Sequence, residues 1–89
     1  MKVRELKNFL ELQLDESQVT KTLNGYSHWI AAIHKAGEYV TSNPKDTQSL
    51  KRLEDLKVVE LKEVKGQLVA TLTKSGRELY QDFYGHGYY

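Results

Sequence analysis

The chain has 89 residues, 39% of them hydrophobic and 28% charged, with a formal net charge of +1 and no cysteine. That composition describes one ordinary globular domain with a small core. It excludes disulfides, thiolate catalysis and cysteine-ligated zinc, and it gives little overall electrostatic pull toward nucleic acid. No apolar run is long enough to span a bilayer, and the N-terminal MKVRELKNFL lacks the core of a signal peptide, so a cytoplasmic protein without membrane contact is expected.

Residues 2–13 read as an amphipathic helix, with Val3, Leu6, Phe9 and Leu10 as its apolar stripe and Lys2, Arg4, Lys7 and Glu11 solvated. Leu12 and Leu14 fall off that stripe, which points either to burial on two sides or to an interface. Asp15, Glu16 and Ser17 offer caps for a short second helix carrying Val19 and Leu23. Asn24-Gly25 then reads as a stop, because both residues tolerate the left-handed conformation. From Tyr26 to about Val40 the pattern is a longer helix with Trp29, Ile30, Ile33, Gly37 and Val40 on one face and Trp29 as a core anchor. Alternatively, residues 16–36 form a compact helix-turn-helix with Asn24-Gly25 as the turn. Its outward face would show Ser27, His28, Ala31 and Lys35, which is poor in base-reading side chains.

TSNPKD reads as a loop, since Pro44 ends a helix and pushes Asn43 toward extended backbone. Leu50, Leu53 and Leu56 recur every three residues and predict a helix over 47–57, capped by Asp46 or Thr47. Thr47, Gln48, Lys51, Arg52 and Asp55 then point outward. Val58-Val59 opens a β-branched run. VVELKEV and QLVATLT are two strands of a hairpin over 58–73, joined at Lys65-Gly66, where Gly66 supplies a positive φ. A two-residue turn pairs Val59 with Leu72, Leu61 with Ala70, Glu63 with Leu68 and Val64 with Gln67. A three-residue loop with a bulge pairs Leu61 with Val69 instead. Thr73 is a good N-cap for a last helix over 74–84 with Leu79, Tyr80, Phe83 and Tyr84 on its apolar side, and 85–89 is an aromatic tail.

Leu50-x-x-Leu53-x-x-Leu56-x-Val58-Val59-Glu60, a short hairpin, and Leu72-Thr73-x-x-Gly76-Arg77-x-Leu79 resemble the C-terminal half of a winged-helix domain, of the kind found in MarR- and PadR-type transcription regulators. The resemblance implies an α+β, mostly helical winged helix-turn-helix with three or four helices, a two-stranded wing hairpin and a C-terminal helix. It also implies a regulator that binds double-stranded DNA. The helix from Thr47 would enter the major groove, where Gln48 reads adenine and Lys51 and Arg52 read guanine or hold phosphate. Thr47 and Ser49 would position the duplex backbone. Lys65 at the wing tip, with Lys62 and Gln67, would reach neighbouring phosphates, and Arg77 is a further phosphate contact or, more plainly, a packing residue. Such regulators commonly dimerise through terminal helices, so Tyr80, Phe83, Tyr84, Tyr88 and Tyr89 are the expected homodimer contacts.

Two features depart from the family. It usually has Gly where this chain has Lys57, and the loop before the recognition helix is longer than the usual tight turn. Asp55 also opposes DNA on the outward face. A winged helix that binds a protein rather than DNA is therefore the competing reading. No enzyme is expected: the serines and threonines lack a base and an orienting acid, and no phosphate-binding glycine loop occurs. Neither metal nor cofactor is expected, because His28 and His34 are spaced so that they do not share a helical face.

Overall fold

A computed structural model describes residues 1–85. The elements in order are α1 (Val3–Glu11), α2 (Glu16–Ala36), β1 (Tyr39–Thr41), α3 (Pro44–Asp55), β2 (Val59–Val64), β3 (Gln67–Leu72) and α4 (Lys74–Tyr84). This is a small α+β domain of four helices and a three-stranded antiparallel sheet in the order β1-β3-β2. The core is built from Leu6 and Leu10 of α1, Val19, Ile30 and Ile33 of α2, Leu50 and Leu53 of α3, Val58, Val59 and Ala70 of the sheet region, and Leu79 of α4. None of the helices is long and apolar enough to cross a membrane among the described residues.

The first correction concerns Asn24-Gly25, which does not stop a helix. α2 runs unbroken through it, and this also removes the compact helix-turn-helix over 16–36. Val19, Leu23, Tyr26, Ile30 and Ile33 follow one another at helical spacing and all pack on or against the core. Burying that continuous stripe outweighs the ~1 kcal/mol that a mid-helix glycine costs. The second correction is that the helix ends at Ala36, not near Val40. Gly37 takes φ 81°, and Tyr39–Thr41 pairs with β3 through Tyr39–Ala70, Val40–Val69 and Thr41–Leu68. The sheet therefore has three strands, not the two of a simple hairpin.

Pro44 opens α3 instead of merely separating two helices. It sits in the first turn, where its missing N–H costs nothing, and the N-cap is Asn43, whose side chain accepts the Lys45 amide at 2.9 Å. The helix starts three residues before Thr47, and the caps expected at Asp46 and Thr47 lie inside it. Asp46 accepts a hydrogen bond from the Thr41 hydroxyl at 2.9 Å, tying β1 to α3. Residues 37–43, β1 among them, separate α2 from α3, so these helices are not joined by the tight turn of a helix-turn-helix.

The hairpin has the two-residue turn and its register: Val59–Leu72, Leu61–Ala70, Glu63–Leu68 and Val64–Gln67. Lys65 at φ 51° and Gly66 at φ 78° give the left-handed pair that a tight hairpin turn needs. Thr73 caps α4 by accepting the Gly76 amide at 3.1 Å. Lys57 is left-handed at φ 64°, so the exit from α3 has the geometry for which the family uses glycine. Just beyond it, the Val58 carbonyl accepts the Thr73 amide at 3.1 Å. Gly76 is buried against the same carbonyl, and a Cβ there would overlap its oxygen.

α1 is held by α4. Lys2 provides no side-chain cap; instead Asp82 accepts the Val3 amide at 2.7 Å, and the Met1 ammonium pairs with Glu78 at 3.0 Å. Only Leu6 and Leu10 of α1 are fully buried, while Phe9 and Leu12 remain 45% and 85% exposed.

Two glycine exchanges of opposite sign test the junction by urea denaturation. Gly76→Ala lowers stability by about 1–3 kcal/mol, the usual cost of overpacking. Lys57→Gly raises it by about 1 kcal/mol by removing the left-handed penalty. Acid sensitivity tests the carboxylate contacts. Hydrogen bonds from the Gln18 amide and then the Ser17 hydroxyl hold Asp15 below the ordinary carboxylate range. The hydrogen bond and charge of the Met1 ammonium do the same for Glu78. Both folded values lie below the unfolded ones, so their stabilisation is complete above the ordinary range and fades as pH falls through the folded values. The urea midpoint of an Asp15→Asn/Glu78→Gln variant should fall less on acidification than that of the wild type.

Candidate nucleic-acid interface

The middle of α3 and the tip of the hairpin meet at an open cleft of about 200 Å³. Thr47 and Lys51 line it from α3, Glu63, Gly66, Gln67 and Leu68 from the hairpin, and Thr41 and Ser42 from the end of β1. The helical period explains the first pair, since residues four apart share a face. The pleat explains Glu63 and Leu68, which are opposite each other on the face that α3 packs against. Lys51 is exposed and Thr47 half-buried, and the Thr47 hydroxyl donates to the Asn43 carbonyl at 3.1 Å.

Of the residues expected to contact DNA, the structure thus brings Thr47, Lys51 and Gln67 together. Gln48 is exposed on the next step of α3, and Ser49 is half-buried. Lys65 is exposed at the turn. Lys62 lies opposite Val69, on the outer face of the sheet, with Val40 as the next residue across.

Two residues stand apart from the cleft. Arg52 lines a different groove, of about 460 Å³, with Phe9, Leu10, Leu14, Tyr26, Asp55 and Leu56. Burial pushes the Tyr26 phenol up, and the Arg52 charge partly offsets that. One residue along a helix is a turn of about 100°, so Lys51 and Arg52 cannot both face the hairpin. Arg77 donates from Nη1 to the Leu72 carbonyl at 3.3 Å, next to the start of α4.

Three of the expected dimer aromatics make contacts inside the chain. Tyr80 stacks on His34 at 3.8 Å between ring centroids, Tyr84 donates its hydroxyl to the Ser27 carbonyl at 3.0 Å, and Phe83 packs against the core. Tyr88 and Tyr89 lie outside the described residues.

Sequence reasoning placed Thr41 and Ser42 in the TSNPKD loop and so passed over them. The Tyr-Val-Thr run after Gly37 was the available signal. Glu63 matters more than its sequence position suggested, because it puts a carboxylate in the cleft.

No protein-family model, no curated protein and no solved structure matches the chain. The resemblance to winged-helix regulators accordingly rests on the sequence pattern.

Proposed function

We propose that the chain is a small DNA-binding domain of winged-helix type, with α3 as the reading helix and the β2–β3 hairpin as its wing. One observation carries this reading: Thr47 and Lys51 of α3 and Gln67 of the hairpin tip share one open cleft, so helix and wing address the same partner. The order of helix, hairpin and final helix supports the reading. Gln48 and Lys51 would then face base edges, and Lys65 at the wing tip would meet phosphate. Arg52 and Arg77 have no part in this contact, and Glu63 and Asp55 limit it to the part of α3 up to Lys51.

A protein-binding role is the second reading. Exposed Phe9 and Leu12, beside the groove that holds Arg52 and Asp55, favour it, as does the near-neutral charge.

Anisotropy titrations with random-sequence duplex DNA at two salt concentrations separate the two. Lys51→Ala should weaken binding by roughly 1–3 kcal/mol for a base contact and reduce the salt slope, whereas Arg52→Ala should leave both unchanged. Full-strength binding by the Lys51 variant removes α3 as the reading helix. No binding to duplex at low salt leaves the protein-binding reading.

A further inference from the structure

α2 carries a glycine that its own fold does not require. Gly25 lies well inside the helix, it does not have a positive φ, and a Cβ added there meets nothing within 4 Å. Alanine would fit and would favour the helix. The space in front of it is therefore the feature to explain. Gly25 and Ala32 form the floor of a shallow pocket of about 340 Å³ whose walls are His28, Trp29 and Tyr39. Trp29 and Tyr39 meet edge to face, with centroids 5.1 Å apart and planes at 80°, so they form a corner. A flat ring entering it would meet Trp29 and Tyr39, with the Gly25 backbone close by.

The flank of α2 next to this corner is basic. Lys21, His28 and Lys35 are spaced by seven residues, two helical turns, and so form a row. All three are exposed. The residues between them on that side are Asn24, Ala31 and Ala32; the acids nearest in sequence, Glu16 and Glu38, lie beyond the two ends of the row. Among the described residues the one salt bridge joins Met1 to Glu78, so neither lysine is paired with a carboxylate. From Lys21 to Lys35 the row spans roughly 20 Å at the helical rise.

Aromatic rings beside a row with an unpaired lysine at each end make a surface for single-stranded nucleic acid: bases stack on the rings without sequence preference while the lysines follow the phosphates. We propose that α2 binds single-stranded nucleic acid, with an unpaired base in the Gly25–Trp29–Tyr39 corner and the backbone along Lys21, His28 and Lys35. This surface is separate from the α3–hairpin cleft, and its success or failure is independent of duplex binding there.

Trp29 is the only tryptophan, so its fluorescence reports the corner directly. Titration with a short oligothymidylate at low salt should quench it, and added salt should reverse the effect. Gly25→Leu fills the corner with a good helix former; circular dichroism should show an intact helix, while affinity should drop about tenfold or more, the loss of one stacked base, and the quench should disappear. Lys21→Ala/Lys35→Ala should weaken binding and flatten its salt dependence. Lys51→Ala serves as the control and should bind the strand as the wild type does. The proposal is overturned by an absence of quenching at low salt, by a folded Gly25→Leu variant that binds and quenches like the wild type, or by loss of strand binding in Lys51→Ala, which would place the strand in the other cleft.

Discussion

The Val58 carbonyl is the point on which the geometry of this domain turns. It accepts the Thr73 amide at 3.1 Å, and Gly76 comes close enough to it that no side chain fits between them. The Thr73 hydroxyl meanwhile donates to the Lys57 carbonyl at 2.7 Å and accepts the Gly76 amide. The exit of α3, the start of β2 and the first turn of α4 are thereby fixed at one place. Lys57 carries the left-handed strain that lets α3 turn directly into β2. If that junction were looser, the hairpin could swing relative to α3, and the cleft between Lys51 and Gln67 would have no defined width. A local backbone constraint thus sets the spacing of a surface formed several residues away on either side.

What was legible in the sequence was local. The Thr73 cap, the Lys65-Gly66 turn, the hairpin register and the leucines of α3 each depend on neighbours a few residues away, and each is as the residues predict. The misreadings came where distant contacts decide. Asn24-Gly25 punctuates a chain in isolation, yet here it is held helical by Val19, Leu23, Tyr26, Ile30 and Ile33 packing on the core. β1 is short, its Tyr-Val-Thr run is a weak local signal, and it exists because β3 offers an edge. The cap of α1 comes from Asp82, 79 residues away from Val3, and no motif near α1 signals it. Lys51 and Arg52 looked equivalent as adjacent outward cations. The structure separates them, because the helix turns between one and the next, and Arg52 lines the groove bordered by Phe9 and Leu10 of α1.

The same logic applies to α1 itself. Its buried side is just Leu6 and Leu10, and its N-terminal amide is satisfied by α4, not by its own sequence. Burial of those two leucines seats α1 on the core, and the contacts to Asp82 and Glu78 fix its N-terminus against α4. That leaves Phe9 and Leu12 facing outward.

A net charge of +1 says less about partners than the placement of the charges does. Screening at ordinary salt cuts off beyond about 10 Å, so a partner at the surface responds to the few groups it approaches. In the α3–hairpin cleft Lys51 is faced by Glu63, and Asp55 follows one turn later. That balance tempers the attraction of the cleft to any polyanion. Along α2 no carboxylate lies between Lys21 and Lys35, and aromatic rings stand beside them. β1 borders both places, with Tyr39 in the aromatic corner and Thr41 in the cleft, about 7 Å apart along an extended strand. The short strand that sequence periodicity assigned to a helix is thus the element that sets the two surfaces side by side.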